Sequence, residues 1–423
     1  MKLHPRLFEV LTRSETGPII NESDFDRKLI AETIKEVVKE YQIEYVGESY
    51  INLDDDLADR TFQAGFKLAT EVGVLHQNTS RRITWTASEI EDALKNCHSV
   101  GHVGKGKQRC KITSRIPEDS LRVGVFGGVV GIPFPEDLYK PLTLSLLQTK
   151  LFDIVDSASL QTVYGHEIRA GTAWEVLGAR REAELVLECL REVDQEGLPF
   201  GAVQLSPTAM GTLAGVTWGG LRPFDHLYLP MTSELKVSND FLAMLAHFHN
   251  LGGFISPYYN PIYGGFVGGT EGVAVAVVAG MILLNQITMG HTFCTRPTHP
   301  FIGCDTTREI LWATSLGIQA ITRNTDLMMA ALAGPASGPG TKTILYENTA
   351  FSLMAVSSGV SELLASHSAG GSVPRHGSPL DSAICAEVTR ASAGLSRGEA
   401  NEIIGQLMEL RSEERRVGKE CIV

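Results

Sequence analysis

Along the first hundred residues, apolar positions recur at helical spacing. Leu29, Ile30, Thr33, Val37 and Val38 fall on one face, and Asp54–Gly73 repeats the pattern with Leu57, Phe62, Phe66, Leu68 and Ala69. Gly73 stands where a helix C-cap is expected. Thr86-Ala-Ser-Glu89 is a capping box that predicts a helix through Leu94. Residues Lys105–Asp119 are basic and polar and read as a hairpin or surface loop.

From Leu121 the rhythm changes to short apolar segments separated by longer amphipathic ones. The predicted strands are Leu121–Phe126, Ile154–Val163, Pro199–Gln204, Phe224–Leu229, Phe254–Tyr258, Thr288–Cys294 and Asp326–Ala331. The helices between them are Pro141–Phe152, Trp174–Val193, Ser238–Leu251, Gly272–Gln286, Thr307–Arg323, Ile344–Leu364 and Leu380–Gly394. Seven or eight strand–helix units predict an α/β fold, a (β/α)8 TIM barrel with an N-terminal helical extension. No Gly-x-Gly-x-x-Gly turn follows the first strand, which disfavours an open dinucleotide-binding sheet. The expected organisation is an extension over residues 1–118, a barrel over 119–410 and a non-native tail over 411–423. That tail, RSEERRVGKECIV, is an abrupt charged run with an apolar tip, resembling translated adapter sequence, so the natural C-terminus is expected to be missing.

Composition narrows the function classes. A hydrophobic share of 43% with 20% charged residues is that of an ordinary globular chain. The net charge of −12 disfavours a nucleic-acid partner, which calls for a basic face. The longest apolar run, Val273–Leu284, falls short of the roughly 20 residues needed to span a membrane, and reads as a buried core helix. The N-terminal MKLHPRLFEV has no signal-peptide core, so a cytoplasmic location is expected. Seven cysteines without a Cys-x-x-Cys pair fit free thiols in a reducing compartment.

Barrel chemistry gathers at the C-terminal strand ends. There Gln204-Leu-Ser-Pro207, Leu229-Pro-Met231, Ser256-Pro-Tyr-Tyr259, Cys294-Thr-Arg296 and Ala333-Gly-Pro335 would converge on one mouth. His247 and His249, two apart on a helix, point about 200° from each other and cannot share an ion. His291 and His299 flank the Cys294 strand and could reach the mouth, but no bound metal is expected. Ser206 and Ser256 lack a Gly-x-Ser-x-Gly elbow, and Cys294 beside Arg296 is either a lowered-pKa thiol or inert packing. The Gly264–Gly269 run could cradle an anion at a helix start, or be a tight turn. Tyr258, Tyr259 and Tyr263 cluster within six residues, a composition suited to an organic cation, whose attraction to each ring face is roughly 0.5–2 kcal/mol; partly exposed packing tyrosines are the plain alternative.

Several segments, in order, resemble the monomethylamine methyltransferases of methanogenic archaea: KEYQIEYVGE, DRTFQAGFKLATEVGVL, GGVVGIPFPEDLYKP, WEVLGARREAEL, PIYGGFVGGTE, DTTRE and LDSAICAEVTRASAG. The resemblance implies a barrel assembled as a homo-oligomer, passing an amine's methyl group to a cognate corrinoid protein that supplies the cobalamin. No tightly bound cofactor of its own is implied. In that family the position matching Gln204 is pyrrolysine, whose imine captures the amine. An amide cannot form that adduct. The family's nearby carboxylate falls at or beside Tyr258, and its later glutamine and tyrosine fall around Leu332–Gly334. An amber codon read as glutamine would also place Gln204 there, and the DNA at that codon decides it.

A protonated primary amine leaves poorly and benefits from covalent or strongly oriented activation. A quaternary ammonium already departs as a neutral amine. Loss of pyrrolysine and of the carboxylate, with tyrosines arriving, therefore points to a quaternary or otherwise preactivated methyl donor rather than monomethylamine. On this reading Gln204 orients the substrate, and Tyr258, Tyr259, Tyr263, His291, His299 and Leu332 line its pocket. Glu271, Arg308, Glu309 and Asp326, which match the family scaffold, brace the mouth. The rival classes are a barrel lyase or hydrolase, which would need paired carboxylates in the mouth, and a non-catalytic binder of a cationic small molecule.

Overall fold

The computed structural model of the chain describes residues 4–156, 158–201, 208–217 and 219–417, with side chains as far as Arg411. Eight strands close a barrel, every neighbouring pair parallel. They are β1 Gly124–Gly127, β2 Ile154–Asp156, β3 Phe200–Gly201, β4 His226–Met231, β5 Phe254–Tyr259, β6 Thr292–Thr295, β7 Met328–Leu332 and β8 Glu362–Ala365. Each is followed by a helix: α1 Glu136–Gln148, α2 Ala173–Glu192, α3 Ala209–Gly215, α4 Asn239–Leu251, α5 Thr270–Thr288, α6 Arg308–Asn324, α7 Lys342–Ser357 and α8 Pro379–Ala391. The predicted α/β barrel is thus the fold. Some elements differ: α3 is unexpected, the strand expected over Ile154–Val163 ends at Asp156, the one expected over Thr288–Cys294 begins at Thr292, and the helix expected over Ile344–Leu364 stops at Ser357, its last residues forming β8. Gly359, at φ +100°, reverses the chain where a helix would have to continue.

The N-terminal extension is built into the barrel wall. Its helix Asp55–Val72, capped by Asp54 and ended at Gly73, lies on α5 and α6. This explains the long apolar run, because every residue of α5 except Glu271 is buried. A helix apolar on all sides needs cover on all sides. The strands, the extension helix and α6 supply it. Contact is close enough that a Cβ at Gly65 would lie 2.4 Å from Val278 Cβ, and one at Gly317 2.7 Å from Val277 Cγ1. Among the described residues a large apolar core runs from Leu7 through the extension to Met408, and a smaller one fills the barrel interior.

The floor of the barrel, at the N-terminal strand ends, is covered by an antiparallel hairpin, Val100–Val103 with Cys110–Thr113. A Cβ at Gly101 would lie 2.4 Å from Phe254 Cε2 and 3.4 Å from Met328 Cε. His291 stacks between His98 and Phe254 in the same layer, at ring distances of 4.5 and 4.6 Å.

Two buried charge pairs fasten the outer parts. Lys236 in the β4–α4 loop donates to Glu22 and Asp26 of the extension, each at 2.8 Å. Two residues earlier Glu234 is buried, accepting from Tyr259 Oη at 2.5 Å and from Ile262 N at 3.1 Å, which ties the β4 and β5 loops together. At the other end the chain returns to the barrel through Arg411. That residue is buried, pairs with the buried Glu347 at 2.7 Å and donates to the Thr306 carbonyl at 2.8 Å. The packed structure therefore includes the first residue of the segment expected to be non-native, because a long C-terminal helix, Arg397–Val417, carries it back onto α7.

Two outcomes follow for stability. Arg411→Ala removes the cation beside a buried carboxylate and is expected to cost about 3 kcal/mol in urea unfolding. Burial lifts the Glu234 carboxyl from its ordinary 4.5 to about 7, against the pull of Tyr259, Ile262 and Lys236. The folded chain then holds that proton more tightly than the unfolded one. Its contribution is complete below pH 4.5 and is lost as pH rises through 7. Asp305, raised to about 6, acts in the same direction. Urea midpoints at pH 5 and pH 8 should differ accordingly, and Glu234→Gln should shrink that difference.

Candidate active site

Side chains alternate across a strand, so every second residue of each barrel strand faces inward. The inward set is Phe126, Ile154, Tyr228, Phe254, Cys294, Met328, Ala330, Leu332 and Leu364, with Tyr258 packed against it and the His226 ring among Phe126, Tyr228 and Phe254. This layer is mostly apolar, yet it contains a buried acid–base pair. His226 Nε2 lies 3.2 Å from Glu362 Oε1, with both side chains fully buried. Asp156, at the end of β2, is fully buried in the same interior.

Aromatic rings wall the space above. Tyr228 stacks on Phe126 at 5.6 Å, and His226 does so at 5.0 Å. Tyr258 meets Tyr228 edge-on at 5.6 Å. Tyr228 Oη, though buried, has no hydrogen-bond partner among the described residues. Burial lifts the phenols of Tyr228 and Tyr258 above the ordinary range, with Asp156 adding to the rise at both and Glu362 at Tyr228. Tyr258 is only partly buried, at the outer edge of this layer. Two carboxylates among electron-rich ring faces make a barrel interior suited to a positive charge.

The rim is held by Arg296, just past the end of β6. Its guanidinium donates to Asp305 at 3.1 Å, to His367 Nδ1 at 2.8 Å and to the Gly370 carbonyl at 3.2 Å. His367 in turn bonds the Val130 carbonyl, and Asp305 accepts from Gly334 N at 2.9 Å. Burial and the neighbouring guanidinium press His367 down to about 3. One arginine thereby ties loops after β1, β6, β7 and β8. A Cβ at Gly334 would sit 2.2 Å from Arg296 Nη2, which accounts for glycine in Ala333-Gly-Pro335.

The residues singled out from sequence separate into groups. Gln204 and Ser206 lie outside the described residues. Tyr258 faces the chamber, and Leu332 ends β7 in its wall. Tyr259 does not: as the next residue on the strand it points outward onto Gly280 and bonds Glu234. Tyr263 and His299 stack at 5.1 Å on the rim. His291 precedes β6, so it belongs to the floor rather than the mouth; its Nδ1 accepts from Ile255 N, and burial presses it to about 3. Cys294 is buried inside the barrel with its thiol pushed up by burial, so packing is its role. The glycine run is a tight turn that spends its N–H groups on itself, Gly264 on the Gly268 carbonyl and Gly268 on that of Gly265.

Among the bracing residues, Arg308 donates to the Gly47 carbonyl and Tyr50 Oη, both at 2.9 Å, and Glu271 accepts from Tyr45 N at 3.2 Å. Both tie the extension to helix starts at the mouth end. Glu309 lies beside Arg308 and acts on Tyr45 electrostatically. Asp326 is a correction: it precedes β7 and lines a surface cleft at the opposite end, with Phe62 and Leu94. Residues the sequence reading passed over are Phe126, Asp156, His226, Tyr228, Arg296 as a rim clamp, and Glu362. The available signal was a charged residue inside an apolar strand run, as in Asp153-Ile-Val-Asp156 and Ser361-Glu-Leu-Leu364.

Known proteins place this geometry. The family model described as monomethylamine methyltransferase MtmB matches residues 6–417. A monomethylamine methyltransferase MtmB2 of Methanosarcina acetivorans is 28% identical over 403 residues, covering 95% of this chain and 88% of that protein. The MtmB protein of Methanosarcina mazei is 27% identical with the same coverage. Among solved structures, the Methanosarcina barkeri monomethylamine methyltransferase superposes with a TM-score of 0.93 at 26% identity, covering 97% of this chain and 90% of that one. A hydroxylamine complex of MtmB superposes equally well. With its whole described length matched, this chain belongs to the monomethylamine methyltransferase MtmB family.

Proposed function

We propose that the chain removes a methyl group from a methylated amine, of quaternary type, and passes it to the Co(I) centre of a corrinoid protein. The C–N bond breaks with its electron pair going to nitrogen, and the cobalt electron pair forms the new bond to carbon. The corrinoid is a co-substrate brought by its carrier, and the chain's own residues bind and orient the donor.

The observation that carries this reading is the lining of the barrel interior. Tyr258 meets Tyr228 edge-on there, in the company of two buried carboxylates, Asp156 and Glu362, with the hairpin covering the floor. A cation entering the interior exchanges water for ring faces and negative charge, and exclusion of water strengthens both. A quaternary nitrogen has no N–H to satisfy, which suits walls made mainly of rings. It also leaves as a neutral amine, so no proton has to be delivered at the moment of transfer. Gln204 has the role of orienting the donor from the chain segment after β3. The carboxylates also meet the condition set for a lyase or hydrolase, but Glu362 is bound to His226, and the family match over residues 6–417 favours methyl transfer.

The test is methylation of Co(I) cobalamin, followed by its absorbance change, across mono-, di-, tri- and tetra-methylated amines. The expected result is turnover with a quaternary donor exceeding that with monomethylamine. Tyr258→Ala is expected to lower kcat/KM at least tenfold, about 1.4 kcal/mol or more of transition-state binding. Gln204→Ala should likewise lower transfer tenfold. Preference for monomethylamine would overturn the donor class, and near-normal turnover by either variant would overturn the role assigned to that residue.

A further inference from the structure

The stretch Lys105-Gly-Lys-Gln-Arg-Cys-Lys111 carries four cations and no carboxylate, in a chain with 49 acidic residues against 37 basic ones. The fold places part of it at the floor end of the barrel, beside a cleft of about 760 Å³. Lys107 and Arg109 line this cleft from the hairpin loop, Arg122 from just before β1, and Lys150 from the α1–β2 connection. The acids lining it are Asp153 and Asp194. Arg122 is paired with Asp153, whose carboxylate also accepts from Val125 N at 3.0 Å, so those two charges offset each other. Lys107, Arg109 and Lys150 are exposed and have no ion pair among the described residues. These three cations face one remaining carboxylate, Asp194.

The walls of the cleft are tied together. Lys105 N donates to the Gly197 carbonyl and Gly104 N to that of Phe224, each at 2.8 Å, which binds the hairpin turn to the segments before β3 and β4. A Cβ at Gly197 would lie 2.2 Å from the Lys105 carbonyl oxygen. Like charges gathered without partners raise one another's energy, and a cleft with a surplus of one sign concentrates the potential and draws in counter-ions. We propose that this cleft binds a small polyphosphate, either free or as the tail of a nucleotide. Its volume is that of a small-molecule site. The surplus of cations calls for several negative charges in a compact body, and Arg109 offers the planar fork that pairs with phosphate oxygens. An extended nucleic-acid backbone fits less well, because these cations are confined to one cleft on a chain of net charge −12. The lining segments lie at the N-terminal strand ends, opposite the catalytic loops of such barrels. The site is therefore separate from the interior that holds Tyr228 and Tyr258, and it stands without the function proposed above.

The experiment is isothermal titration of the full-length chain with sodium tripolyphosphate, ATP and sodium sulfate at about 0.15 M ionic strength. The expected result is one tripolyphosphate per chain, with sulfate weaker by about tenfold or more. Lys107→Ala, Arg109→Ala and Lys150→Ala are each expected to weaken tripolyphosphate binding by about fivefold or more. Lys35→Ala, which removes an equally exposed charge from the extension helix Ala31–Glu40, is expected to stay within about twofold of the wild type. All four side chains are exposed, and circular dichroism checks that the variants fold. ATP binding no tighter than tripolyphosphate assigns the cleft to the phosphate chain alone, and tighter binding extends it to a nucleotide. Sulfate binding as tightly as tripolyphosphate would overturn the ligand class. Equal weakening by Lys35→Ala and the cleft variants would reduce the effect to net charge and overturn the site. Absence of binding by the wild-type chain would overturn it too, and a changed subunit number in Arg109→Ala would then reassign the cleft to contact between copies of this chain.

Discussion

The alternation of side chains across a parallel strand, imposed on a ring of eight, governs this molecule. It sends Tyr258 inward and Tyr259 outward, although the two are neighbours of the same chemical type. The inward phenol belongs to the chamber, while the outward one supports a loop through Glu234. The same rule puts His226 and Tyr228 on one wall and turns Glu362 inward to meet His226 across the barrel. The strand-borne polar groups His226, Tyr228, Tyr258 and Glu362 are therefore in place because closure of the sheet turns their positions inward.

Closure leaves a long apolar helix to be covered, and the N-terminal extension covers it. Asp55–Val72 lies against α5 with only the Gly65 backbone between it and Val278. Arg308 and Glu271 then tie the Gly47–Tyr50 and Tyr45 segments to the starts of α6 and α5. The extension thus shapes the mouth while completing the core. A division at residue 118 separates segments that share one apolar interior.

Much of the fold was legible in the sequence because its signals are local. The Thr86 capping box, the Gly73 stop and the uninterrupted apolar run of α5 each state their structure over a few residues. The end of α7 was misread because the Val360–Leu364 run is apolar in either conformation, and only the backbone at Gly359 decides. The site was less legible. Tyr258, Leu332 and the bracing roles of Glu271 and Arg308 could be found by strand-end position or family likeness. His291 and Asp326 could not be assigned to one end of the barrel without knowing where each strand begins. Asp156 and Glu362 were missed because a carboxylate in an apolar strand becomes conspicuous only once the strand is known to face an enclosed interior.

The hairpin beneath Phe254 has a kinetic consequence. With that end covered, the proposed donor and its spent amine share one doorway, and the proposed acceptor seated over it would block traffic in both directions. On the proposed chemistry the donor has to be inside before the carrier settles, and the demethylated amine stays captive until the carrier lifts away. Each cycle is then first in, last out, with the order of events set by the shape of a dead-end room.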